Sequence, residues 1–231
     1  MDSARIAALL QPFLNAPLPE STLAQISIYI DLLLRWNARI NLTAVRDEEH
    51  IVTRHFGESL FLARHLFPVQ GRTPLPQVED RLPAAQTHLA EARVLDIGSG
   101  AGFPALPLKL WAPTIQLVMV ESNHKKATFL REVARSLTLT DIDVMSERAE
   151  ALADRLGPAF PPFDVVTFRA VERFEAVLPV AVRFLAPHGR LAVLVGSSQA
   201  QALPSLLPRL HWLSPIPLPE SESRVAAIAL A

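Results

Sequence analysis

Residues 94–111, VLDIGSGAGFPALPLKLW, pass from a short apolar run through glycines at alternate positions into a second apolar run. The first run reads as a strand carrying Asp96 at its end, and the second as a helix that starts near Phe103 to Pro104. Gly98, Gly100 and Gly102 permit a tight turn and a close approach of backbone to a ligand, while a helix start aims free N–H groups at an anion. The dinucleotide pattern G-x-G-x-x-G is broken, because Phe103 stands at the third glycine position. No Gly-Lys-Ser/Thr follows, so the loop is not a P-loop either. What remains is D-x-G-x-G-x-G, followed by an apolar second strand that ends about twenty residues later in Glu121, where a carboxylate accepts from ribose hydroxyls.

Outward from this stretch, apolar strand-like runs alternate with amphipathic helical ones. The strands are RVLDI (93–97), IQLVMVE (115–121), DIDVMS (141–146), FDVVTFR (163–169) and GRLAVLVG (189–196). Helices are expected in 123–137 and 172–185. Such alternation specifies a parallel sheet with helices on both faces. LHWLSPIPL (210–218) and SRVAAIALA (223–231) add two closing strands, one of them antiparallel at the edge. The fold class is therefore α/β, a Rossmann-like, doubly wound, mostly parallel sheet, with a helical N-terminal extension over 1–67. In that extension Leu23, Ile26, Ile30, Leu33 and Leu34 recur at helical spacing, Thr22 with Gln25 has capping-box spacing, and Asp47 is placed to cap a second helix over 47–66. Residues 68–91, with four prolines and a glycine, read as a loop or linker before a ligand-binding core over 92–231.

Composition limits the chemistry. The 231 residues are 50% hydrophobic, enough for a sizeable core. Cysteine is absent, which removes disulfides, thiolate zinc sites and cysteine nucleophiles together. The seven histidines are scattered without metal-ligand spacing, and no metal is expected. A net charge of −1 argues against a surface coated for nucleic acid, so basic residues have to be read by position. No apolar stretch is long enough to span a bilayer and no signal segment opens the chain, from which a cytoplasmic location is expected.

The glycine loop with Asp96 and Glu121 resembles the S-adenosylmethionine site of class I methyltransferases. Five blocks narrow the resemblance: NLTAVRDEEHIVTRHFGESL (41–60), DIGSGAGFPALPL (96–108), VESNHKKATFLREVAR (120–135), ERAEAL (147–152) and FRAV (168–171). In that order they are similar to the ribosomal RNA small subunit methyltransferase G family, also called glucose-inhibited division protein B, over roughly residues 22–197. The resemblance implies transfer of a methyl group from S-adenosylmethionine to N7 of a guanine in 16S ribosomal RNA. The partner is then the RNA, the small subunit or an assembly intermediate, met by a monomer without a membrane. It places Gly98 and Phe103 around the cofactor, Ala149 and Glu150 beside its adenine, and Arg169 near the methionine end or the target base.

The cofactor set is then Asp96, Gly98, Gly100, Gly102, Phe103 and Glu121 from the residues themselves, with Ala149, Glu150 and Arg169 added by what the resemblance implies. Arg148 and Arg169 follow strands on the ligand side of the sheet, where arginine binds a phosphate or a guanine O6 edge, and these two are the catalytic candidates. Asp96 either orients the loop or attracts the cofactor's amine. Lys125 and Lys126, two of only three lysines, with Arg131 make a basic helix that matches the family's RNA-contacting pattern. Arg46 either contacts RNA or pairs with Glu49. His55 reads as a packing histidine without a catalytic role, and His124 is the histidine nearest the pocket by sequence. Departures from the family pattern are Ala105 for glycine, Glu58 for aspartate, Phe168 for a small residue, the longer 68–91 insertion and a C-terminus that lacks the customary basic ending. Two further readings are a small-molecule methyltransferase with the N-terminal helices as a lid, favoured by the low charge, and a regulatory S-adenosylmethionine-binding protein without turnover.

Overall fold

The computed structural model describes residues 1–67, 91–157, 161–169 and 174–231. The expected loop or linker over 68–91 lies almost wholly outside them. Five parallel strands, β1 (Arg93–Ile97), β2 (Gln116–Val120), β3 (Ile142–Met145), β4 (Phe163–Arg169) and β5 (Leu185–Gly196), form the sheet, with β8 (Arg224–Leu230) antiparallel beside β5. The two-residue strands β6 (His211–Trp212) and β7 (Ile216–Pro217) both pair antiparallel with β8, so the order is β3-β2-β1-β4-β5-β8-β6 with β7 alongside. One closing strand, β8, thus runs against the five parallel strands, as expected, although β6 and β7 cover its outer side and run with the five. β5 also starts earlier than expected, because the β4–β5 register shifts between Phe163 and Val165 and leaves extra residues near the start of β5.

Side chains alternate between two cores, as strand geometry requires. Val94, Leu117, Met119, Val165, Ala192 and Ala226 point into one, and Leu95, Val118, Val120, Val166, Leu191 and Ala227 into the other. The first face is covered by α1 (Ser3–Leu10), α2 (Glu20–Asn37), α4 (Glu58–Leu66), α5 (Ala105–Trp111) and α6 (His124–Ser136). The second is covered by α7 (Ala149–Leu156), α8 (Phe174–Val182) and α9 (Ser197–Leu206). Of the N-terminal helices, α4 reaches β5 and α5, while α2 packs on α6 and α1 packs on α2.

Three local details position the ligand side. Asp47 caps α3 (Glu48–Ile51), accepting from His50 N at 2.9 Å, as its placement predicts. Between α3 and α4 the chain makes a π-helical turn over Val52–Gly57, which carries Arg54 and His55. The capping box expected at Thr22 and Gln25 does not form. α2 begins at Glu20, Thr22 is buried inside it, and the Gln25 amide donates to Leu137 O at 2.9 Å.

Candidate active site

A cleft of about 690 Å³ opens at the carboxyl ends of β1, β2 and β4, within the size range of small-ligand sites. Its floor is the glycine loop. Gly98 and Gly100 adopt φ of +67° and +55°, and Gly98 N and Ser99 N both donate to Val120 O, which ties the loop across to β2. A Cβ at Gly100 would meet only Gly98 O, at 3.7 Å, so that position faces the open cleft. Glu121 grips the loop from the next strand: its Oε2 accepts from Gly100 N at 2.9 Å and its Oε1 from Asn123 N at 2.7 Å. Each oxygen retains a lone pair for a ribose hydroxyl, but the first task of this carboxylate is to hold the backbone.

Two expected cofactor residues are corrected. Gly102 does not line the cleft. At φ +86° it packs inward, where a Cβ would lie 2.6 Å from Leu106 Cδ1 and closer still to the Tyr29 hydroxyl. Asp96 is 1% exposed beneath the loop, with Oδ1 accepting from the Thr167 hydroxyl at 2.7 Å. Burial pushes its carboxyl up to about 7 against hydrogen bonds from Ser99 and Thr167, and a group in that position fastens β1 to β4. It lies beneath the floor and does not face a ligand's amine.

The opposite wall comes from the N-terminal segment. Asn37, at the end of α2, accepts from Leu42 N and Thr43 N and donates to Thr43 O, folding residues 42–45 over the cleft. Thr43 Oγ1 lies 2.8 Å from His55 Nε2, and Arg169 Nη2 lies 3.0 Å from His55 Nδ1. A guanidinium only donates, so Nδ1 accepts and the ring hydrogen sits on Nε2. The imidazole stacks on Phe103 at 4.8 Å, and Phe103 stacks in turn on Tyr29, whose hydroxyl donates to Ala101 O in the loop. Burial, then the charges of Arg169, Arg54 and Arg224, press the His55 pKa down to about 3. Histidine was expected here as packing only. It does pack, yet it also lines the cleft and orients Arg169. His124 does not line the cleft; its Nδ1 meets Ser146 Oγ at 2.7 Å.

Arg169 is the convergent charge. Its side chain is 12% exposed, and Nη2 lies 3.6 Å from Glu58 Oε2. Burial is the main cause of a guanidinium pKa lowered to about 10, with Glu58 opposing and Arg224 and Arg54 adding to the fall. Arg148, Ala149, Glu150 and Lys126 also line the cleft. Lys125, Arg131 and Arg46 do not. All three are exposed, and Arg131 spends a guanidinium N–H on Val144 O at 2.7 Å. Glu49 pairs with Arg5 at 2.6 Å rather than with Arg46. Sequence reasoning gave no role to Arg54 or Arg224 and noted Glu58 only as a departure. Arg54 and Glu58 stand within the NLT…SL block, whereas nothing around Arg224 sets it apart from a turn residue.

The family model for rRNA small subunit methyltransferase G matches residues 22–71 and 77–208. The chain belongs to that family. Relatives named ribosomal RNA small subunit methyltransferase G include one from Chloroflexus aggregans, 36% identical over 92% of this chain and 83% of its own length. Another, from Roseiflexus sp., is 34% identical over 91% of this chain and 84% of its own length. A third, from Xylella fastidiosa strain 9a5c, is 35% identical over 80% and 73%. Among solved structures, a SAM dependent methyltransferase from Aquifex aeolicus aligns over 60% of this chain and 81% of its own, at 15% identity and a TM-score of 0.48. The family is one of S-adenosylmethionine-dependent rRNA methyltransferases. The residues present fit that cofactor, since the open face of Gly100, the buried Phe103 ring and the Glu121 carboxylate form a cradle that a side chain at position 100 would fill.

Proposed function

We propose that this chain transfers the methyl group of S-adenosylmethionine to N7 of a guanine in 16S ribosomal RNA, acting as a cytoplasmic monomer on the small subunit or an assembly intermediate. Family membership supports the donor and the RNA. One observation carries the atom: among the described residues, the histidine that lines the cleft does not take a proton near neutral pH. His55 is its sole histidine and has a pKa of about 3. Both Glu121 oxygens are engaged by backbone amides, and Asp96 lies beneath the floor.

S-adenosylmethionine supplies an electrophilic methyl on a positively charged sulfur. Guanine N7 has no proton to remove, so the protein has only to align and to stabilise charge. Gly98 and Gly100 let the backbone come close to the donor. Arg169, held by His55 and Glu58, and Arg148 at the mouth present donors to the O6 edge of the base. The target base is presented singly, out of any stack, to enter a cleft of this depth. Lys126 at the cleft, with the exposed Lys125, Arg131 and Arg46, supplies positive charge to the RNA backbone. In this reading 92–231 is the catalytic core and 1–67 an extension that closes one wall of the cleft. No helix among the described residues is long and apolar enough to cross a membrane.

The test is incubation with labelled S-adenosylmethionine and small subunits from cells lacking this gene, followed by nucleoside analysis of the 16S RNA. The expected product is 7-methylguanosine. Label on any other atom, or none, overturns the assignment.

A further inference from the structure

Beside the cleft lies a second, smaller cavity of about 160 Å³, several times the roughly 30 Å³ that a water occupies in the liquid. Arg54, Arg169 and Arg224 line it, with Glu58 between them. Arg54 and Arg169 also line the main cleft, so the two spaces share a wall. Three cations therefore face one carboxylate, and His55 adds no charge. That carboxylate is 2% exposed and holds its partners imperfectly. Arg224 Nη2 lies 2.6 Å from Glu58 Oε1 but off the line of a hydrogen bond, and Arg169 Nη2 stands 3.6 Å from Oε2. Among the described residues, Arg169 Nη1 and Arg224 Nε are buried without a hydrogen-bond partner. Buried guanidinium donors left unpaired are costly, and an anion that accepts from them relieves the cost.

We propose that this cavity is a phosphate subsite, in which Arg54, Arg169 and Arg224 receive an RNA backbone phosphate flanking the target guanine. The proposal rests on the functional reading above and names where the acceptor strand is held. Position in the sheet separates it from the cofactor. The glycine loop and Glu121 follow β1 and β2, whereas the cavity lies at the end of β5 and the start of β8, lined by Leu194, Gly196 and Arg224. Arg169, at the end of β4, stands between the two. A base lying against Arg169 thus has the donor on one side and the cavity on the other. A phosphodiester carries one negative charge, and the surplus of cations exceeds it even with Glu58 ionised. Glu58 acts as a stand-in counter-ion that keeps the three arginines together before RNA arrives.

The experiment uses inorganic phosphate as the first probe. Thermal unfolding of the wild type in phosphate, against chloride at matched ionic strength, is expected to show a midpoint higher by about 3 °C. Arg224→Gln should lose that difference, and Glu58→Gln, which removes the competing carboxylate, should enlarge it. With 16S RNA as the second probe, Arg224→Gln should flatten the dependence of log affinity on log salt by about one unit, while calorimetry shows cofactor affinity within about threefold of wild type. Equal midpoints in phosphate and chloride for the wild type would overturn the subsite. So would a fall in cofactor affinity in Arg224→Gln at an unaltered salt slope, which would assign the cavity to the cofactor's carboxylate. If the phosphate arm holds but the wild type fails to methylate small subunits, the anion cavity stands and the functional reading falls.

Discussion

The two sides of the cleft are built by different means. On the donor side a short continuous segment, residues 96–103, folds back on itself through main-chain hydrogen bonds, and Glu121 from the next strand completes it. On the proposed acceptor side Thr43, His55 and Glu58 from the N-terminal segment meet Arg169 and Arg224 from distant parts of the chain through side-chain contacts. The first side depends on backbone conformation and tolerates little variation in shape. The second depends on buried charge, where removing one partner strands another. Substitutions should therefore fail in different ways on the two sides.

The largest effect is expected at the floor. Gly98→Val introduces a branched side chain at φ +67° in a residue that lines the cleft, and should abolish cofactor binding in calorimetry on the folded variant. Unchanged affinity would place the donor elsewhere and end the comparison. Next comes Arg169→Ala, which should lower single-turnover methylation on the order of 100-fold. It should also cost about 3 kcal/mol of stability in urea unfolding, because Glu58 loses a partner. Cofactor affinity should hold. If it falls in step with the rate, Arg169 belongs to the donor side and the division has to be redrawn.

A third expectation sharpens the role of Asp96. Its folded pKa, about 7, lies above the unfolded value, so the native state holds the proton more tightly. The associated stability is fully present below the unfolded pKa near 4 and is lost as pH rises through about 7. Asp96→Asn has no such loss, and its stability relative to wild type should climb across that window, by at most about 1.4 kcal/mol per pH unit. A pH-independent difference in denaturant unfolding would mean that Asp96 is ionised under the loop and available to a ligand. The smallest effect concerns the rate. With His55 neutral above about pH 3, single-turnover methylation should be nearly flat from about pH 6 to 9, and His55→Asn should change it by less than about tenfold without creating a pH dependence. A rate rising about tenfold per pH unit would reveal an acceptor that must lose a proton, against N7.

The Rossmann-like sheet, the loop with Gly98 and Gly100, and the helix after Glu121 were legible in the sequence because each is a local property. Alternating apolar residues fix which face is buried, and positive φ at a tight turn favours glycine whatever packs around it. Gly102 and Asp96 were misassigned for the same reason, since a motif gives spacing but not the direction in which a residue looks. Only the packing of the N-terminal helices turned Gly102 toward Tyr29 and sealed Asp96 beneath the loop. Arg169 was legible in the sequence, but its partners were settled only at that level. His55 meets Arg169 from 114 positions away, and Glu58 and Arg224 are farther apart still. No pattern in either segment records the other. Buried charges find their partners through desolvation, which acts only once the sheet and the helices over it have excluded water.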